Sequence, residues 1–173
     1  TSKKDLAAYT EFEKNYKDHP AYNGIQDSIY KLATAPGTIV SFKDFVSSYS
    51  QNRNWKDAWD QLYLLCTADA TEDAYQKFMN EFPDYPNKDR VIKDLELSKK
   101  DLKPFPQNDK WGYAHQTSSG SLELVIPCEY EEAFEFKNGY AAVRQKPCTD
   151  EKCVYFYIDK NDHRAFTADF NYA

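Results

Sequence analysis

Tyr75-Gln76-Lys77-Phe78-Met79-Asn80-Glu81-Phe82-Pro83-Asp84-Tyr85-Pro86 reads as the end of one helix and a turn into another. Its aromatics at 75, 78 and 82 follow an i, i+3, i+7 spacing, which places all three on one helix face. The same phase occurs twice upstream, as Tyr9, Phe12, Tyr16 and as Phe42, Phe45, Tyr49, each copy 33 residues from the next. A second set follows in register: Ile25, Ala58 and Val91, then Ile29, Leu62 and Leu95. Their i, i+4 spacing predicts a second amphipathic helix in every copy. Turn residues separate the two helices: Asp18-His19-Pro20, Gln51-Asn52-Arg53-Asn54 and Pro83-Asp84-Tyr85-Pro86-Asn87. Pro20 and Pro86 suit the first turn of a following helix. Asn54 and Asn87 are expected to cap the second helices, and Ser41 and Thr71 the first helices of copies two and three. Ser41-x-x-Asp44 is a capping-box-like variant.

A helix pair cannot bury its apolar stripe alone, and stacked neighbours complete the core. The expected architecture of residues 1–103 is therefore a short α-solenoid of three helical hairpins. The aromatic stripe reads as packing rather than as a ligand box, because it recurs at one phase in every copy.

This half resembles tetratricopeptide-like repeats, in the variant found in bacterial envelope proteins and outer-membrane assembly lipoproteins. There a phrase of the form F-x-x-F-x-x-x-Y/F-P-x-x-P joins the two helices. Phe78 to Pro86 fits it best, and Ala8 to Pro20 fits with Lys17 in place of the first proline. The middle copy departs most, with Arg53 and Asn54 in the proline region. The resemblance implies a fold and says little of function.

Lys103-Pro104-Phe105-Pro106-Gln107-Asn108-Asp109 is a natural break, since two prolines stop a helix and favour extended backbone. Beyond it the texture is strand-like: 121–126, 140–144 and 153–158 are β-branched or aromatic runs, and Asn138-Gly139 signals a turn. Lys110-Trp111-Gly112-Tyr113, then Val125-Ile126-Pro127-Cys128-Glu129-Tyr130-Glu131-Glu132-Ala133, then Phe136, Gly139, Ala141 and Val143 resemble a WG repeat. A second, degenerate copy opens at Tyr155-Phe156-Tyr157-Ile158-Asp159, with Tyr155 and Phe156 where Trp and Gly are expected. The resemblance covers residues 110 to about 170 and implies short antiparallel strands and no general catalytic role. The whole chain is thus expected to be α+β, helical over 1–103 and a small WG-type β region over 104–173. Trp111 beside Gly112 reads first as a core plug with a tight backbone bend. Trp111 and Tyr113 are also the candidate ligand-stacking aromatics.

Four cysteines are present: Cys66, Cys128, Cys148 and Cys153. The first two sit in apolar surroundings and read as packed. WG repeats usually place a short turn where this chain has Cys148-Thr149-Asp150-Glu151-Lys152-Cys153. A cysteine at each foot of that loop suits a disulfide, and with it an oxidising compartment such as a periplasm or cell surface. The rival is a metal site drawing on His115 or His163, and one C-x4-C with scattered histidines is a weak ligand set.

Hydrophobic residues make up 41% of the 173, enough for a packed core. The net charge is −6 and basic residues alternate with acidic ones, which disfavours nucleic acid and anionic membranes as partners. No apolar run approaches the roughly 20 residues of a membrane helix. The polar opening Thr1-Ser2-Lys3-Lys4 is compatible with a chain from which an export signal or lipid anchor was removed. No G-x-S-x-G, H-E-x-x-H, P-loop or dinucleotide motif occurs, so no catalytic, cofactor or metal residues are assigned. The expectation is a non-catalytic interaction or scaffolding module of an exported or envelope protein, with a protein or peptide partner. The alternative is a carbohydrate- or cell-wall-binding protein, which requires at least two solvent-facing aromatics of the β region in one groove. Nothing in the sequence fixes the oligomeric state or the partner's identity.

Overall fold

A computed structural model describes residues 2–148, 153–165 and 169–172. Among them are six helices followed by two antiparallel sheets, so the chain is α+β. The helices are α1 (Ser2–Asn15), α2 (Tyr22–Ala33), α3 (Ile39–Ser48), α4 (Trp55–Cys66), α5 (Glu72–Glu81) and α6 (Lys88–Lys99). Helices α2, α4 and α6 begin at 22, 55 and 88 and end at 33, 66 and 99. The 33-residue step seen in the aromatic phase is thus also the step of the helix bounds.

Two compact units divide the chain: Thr1–Ala68 with Phe82–Pro86, and Asp69–Glu81 with Asn87–Ala173. This division differs from a boundary at 103/104, because α5 and α6 share a unit with the sheets. In the first unit α1 packs on α2 and α3 on α4. Ile29, Ala58 and Leu62 are fully buried, and Phe45 and Tyr63 nearly so. The turn phrase closes this core from the side. Tyr85 stacks on Tyr63 at 5.3 Å, Phe82 meets Trp59 edge-on at 5.9 Å, and Tyr85 Oη donates to Asp60 at 3.2 Å. The first aromatic stripe is looser: Phe12 is half-buried and Tyr16 is exposed.

The caps are partly as expected. Thr71 Oγ1 accepts from Ala74 N–H, and Asn87 Oδ1 from Arg90 N–H. Helix α3 is capped three residues earlier than expected. Thr38 is its N-cap and Ser41 is the third helical residue, each side chain accepting from the other's backbone N–H. This is a capping box in which serine stands in for the usual glutamate. Asn54 occupies the N-cap of α4 but its side chain makes no cap bond. Its amide instead donates to Asp27 at 2.9 Å.

In the second unit α5 packs on α6. The first sheet has the order β1 (Leu102–Gln107), β2 (Lys110–Gln116), β3 (Leu122–Tyr130). The second has β4 (Glu132–Ala133), β5 (Tyr140–Arg144), β6 (Cys153–Asp159), β7 (Phe170–Tyr172). The proline segment expected as a break is strand β1. Among the described residues it pairs only with β2, and an edge strand tolerates prolines because one side needs no N–H donors. Asn108 and Asp109, at φ 53° and 58°, form the two-residue turn between β1 and β2.

The core of this unit joins Tyr113, Ile126, Tyr130, Ala141, Val143 and Ile158 to Leu97 of α6 and Leu102. Lys160 Nζ donates to the carbonyls of Ser98 and Lys100, both at 2.6 Å, and so caps the C-terminal end of α6. A Cβ at Gly139 would lie 2.9 Å from Asp69 O, so the chain entering α5 rests on the 138–139 turn. Leu97, Lys160 and Gly139 are among the contacts that hold α5 and α6 with the sheets.

Candidate functional site

Three positions in the β region bear on function: the Trp-Gly pair, the loop closed by cysteines, and the outer face of the second sheet. At the first, a Cβ on Gly112 would stand 2.3 Å from Ile126 O and 2.7 Å from Pro127 C and O. Backbone of β3 fills the space, and the pairing shifts between Trp111 and Tyr113 to allow it. Glycine is required there by close approach. Tyr113 is fully buried, with its hydroxyl donating to Phe134 O at 2.8 Å. Burial pushes that phenol well above the usual tyrosine range. This corrects the expectation of a stacking face at Tyr113, whose ring lies inside the core. Trp111 is partly buried and packs against the same core.

Cys148 and Cys153 are joined by a disulfide with Cα atoms 4.5 Å apart, within the usual range for such bridges. Their sulfurs are bonded to each other, so the rival metal site loses both thiolates. His115 Nδ1 lies 3.2 Å from Asp101 O, and His163 Nδ1 lies 3.5 Å from Asp159. No group of three or more His, Cys, Asp or Glu suited to a metal occurs among the described residues. Cys66 and Cys128 are not part of a disulfide, and Cys128 Sγ lies 3.4 Å from Phe105 O.

The third position gathers Tyr140, Tyr155 and Tyr157, aromatics of the β region on which the carbohydrate alternative depends. Side chains alternate along a strand. On β5, Ala141 and Val143 point into the core, leaving Tyr140, Ala142 and Arg144 on the opposite face. On β6, Ile158 is buried, leaving Tyr155 and Tyr157 on the same outer face. Ala142 pairs with Tyr157, and Tyr155 with Phe170. On the other side Phe134 N–H donates to Ala142 O at 3.0 Å. A small residue thus lies between aromatic rows and becomes the floor of a groove of about 730 Å³. Its walls are Phe134 on one side and Tyr157 and Phe170 on the other, with Tyr155 in ring contact with Phe134 at 5.9 Å and Tyr140, Glu135, Lys137 and Asn138 towards the opposite end. Phe134 and Phe170 are 47% and 43% exposed.

Near Tyr155 the charges are paired. Tyr155 Oη donates to Glu132 Oε2 at 2.7 Å, and Arg144 reaches the same oxygen at 3.3 Å. The hydrogen bond to Glu132 raises the Tyr155 pKa, because it favours the protonated phenol. Desolvation, with Asp159 and Asp69 nearby, raises Tyr140. Both remain neutral hydroxyls at physiological pH. Strand alternation decides which side chains share a face. The groove itself depends on Ala142 lying opposite Tyr157, which is a matter of register.

A family model described as WG containing repeat matches residues 121–146. That stretch carries a WG repeat. The match spans β3, β4 and β5, the floor of the groove and its Phe134 wall, and does not extend into the helices. No curated protein and no solved structure matches the chain.

Proposed function

We propose that this chain is a non-catalytic interaction or scaffolding module of an exported bacterial envelope protein. The reading takes the helices as tetratricopeptide-like repeats stacked in a short solenoid, with a protein or peptide partner. The observation that carries it is a set of helix pairs whose second helices keep a 33-residue step, and which bury one face and leave apolar residues on another. Helix α4 buries Leu62 and Tyr63 while Leu64 is 49% exposed, and α3 buries Phe45 while Val40 is 66% exposed. Exposed apolar positions on repeat surfaces are where such proteins take partners. The WG repeat is compatible with this role. The disulfide supports an exported location.

The test is affinity capture from an envelope fraction with the whole chain as bait, followed by titration with the purified partner. Val40→Asp and Leu64→Asp, both on exposed positions, are expected to abolish capture while leaving the fold intact. Capture unchanged by both substitutions counts against the helical surface as the binding face.

A second reading is supported by the groove. Carbohydrate binding requires at least two solvent-facing aromatics in one groove, and the outer face of the second sheet has them. Under this reading the β region holds a glycan while the helices hold a partner.

A further inference from the structure

We propose that the groove on the outer face of the second sheet binds a short, neutral oligosaccharide, with Phe134 and Tyr157 as walls about the Ala142 floor. This rests on the carbohydrate reading above and adds the site, the size and the charge of the ligand.

The volume of about 730 Å³ falls within the roughly 300–1,000 Å³ of small-ligand sites. A folded partner needs a far larger contact area. The rings form walls and not one flat plate: Tyr157 and Phe170 meet at 83°, and Phe134 and Tyr155 at 63°. A pyranose has an apolar C–H face and a polar hydroxyl edge. The first suits an aromatic wall, and the second needs donors and acceptors together.

Charge sets the ligand class. Glu132 is held by Arg144 and Tyr155 at one end of the groove. At the other, Glu135 and Lys137 carry opposite charges, and Lys103, 3.9 Å from Glu135, is itself paired with Asp101 at 3.5 Å. A phosphate or a quaternary ammonium therefore meets no net opposite charge. A neutral polyol meets what it needs: donors from Lys137 and the Asn138 amide, and acceptors from Glu135 and the Asn138 carbonyl. Aromatic grooves also take proline-rich peptides. Consecutive prolines lack N–H groups and ask the site for donors alone. A rim that also offers carboxylate and amide oxygens fits hydroxyls better.

The test uses the whole ¹⁵N-labelled chain, titrated to millimolar concentration with cellotriose, maltotriose or chitotriose. Trigalacturonate and a proline-rich decapeptide serve as charged and peptide probes. The expected result is saturable shifts, for at least one neutral trisaccharide, confined to amides of residues 134–142 and 155–158. Tyr157→Ala is expected to weaken binding about tenfold or more. Ala142→Leu, which fills the floor from an outward-facing position, is expected to do the same. Unchanged circular dichroism establishes that both variants fold. Neutral-sugar shifts mapping elsewhere, for example around Trp111, overturn the site and leave the carbohydrate reading standing. Binding of trigalacturonate alone overturns the neutral-ligand assignment. Binding of the peptide alone, or no response to any of the three neutral sugars, overturns both.

Discussion

A Cβ added at Gly112 meets three backbone atoms, Ile126 O at 2.3 Å and Pro127 C and O at 2.7 Å. To restore ordinary contact at 3.4 Å, β2 and β3 must part by about 1 Å. No side chain can rotate away, because every atom in the way is main chain. The parting would open the core, since Tyr113 is fully buried beside Gly112 and pairs with Ile126. Overpacking of this kind costs typically 1–3 kcal/mol, and a clash with backbone belongs at the upper end, about 3 kcal/mol. For a chain of this length that lowers Tm by about 6–12 °C. Gly24→Ala is the matched contrast. Gly24 lies in α2 with nothing within 4 Å of an added Cβ, so alanine there is expected to stabilise by about 0.5–1 kcal/mol. Urea unfolding of both variants gives the comparison. Hydrogen exchange of β3 amides isolates the β-containing unit, because two compact units need not unfold together. A Gly112→Ala protein within 1 kcal/mol of the parent, with β3 protection intact, would refute the close-approach argument.

Further outcomes are expected. Tyr75, Tyr113 and Tyr130 are buried and their pKa values are raised, chiefly by desolvation. With folded values above the ordinary value of about 10, the unfolded chain loses these protons first. Their contribution is intact below that pH and is lost as pH rises above it, by at most about 1.4 kcal/mol per pH unit for each tyrosine. Tyrosinate absorbance during alkaline titration should therefore lag for these three until unfolding; free titration of all tyrosines near pH 10 contradicts their burial. Reduction should raise the intact mass by two hydrogens, and the Cys148→Ser, Cys153→Ser double variant should lose about 2 kcal/mol in chemical unfolding, as expected for so short a loop. Protein exported by its native host that shows no mass change on reduction lacks the bridge. Thr38→Ala should cost about 1 kcal/mol in thermal unfolding, by removing half of the α3 capping box. A change within a few tenths would place the helix start elsewhere.

The repeat was legible because helix packing writes its period into side chains. The aromatics at 9, 42 and 75 are 33 apart, and so are the starts of α2, α4 and α6. Strands over 121–126, 140–144 and 153–158 were legible from β-branched and aromatic runs, and the Cys148–Cys153 bridge from a cysteine at each foot of one hairpin. The α3 cap was misplaced by three residues because Thr38 and Ser41 are both good capping types. Local chemistry alone does not choose between them.

Properties carried by neighbours in the chain were thus available from the sequence: helix phase, turn positions, strand alternation and the short-range disulfide. Properties carried by residues far apart in the chain were not. Pro104 and Pro106 look like a break until β2 pairs with them, and Tyr113 looks like an amphipathic surface aromatic until Phe134 supplies its hydroxyl with an acceptor. The groove exists only because the β5–β6 register sets Ala142 against Tyr157 and the end of β4 brings up Phe134. A shift of one residue would turn those side chains to the other face. Register is fixed by what the opposite face buries, here Ala141, Val143 and Ile158 against Leu97 and Leu102, and that burial is a property of the folded chain.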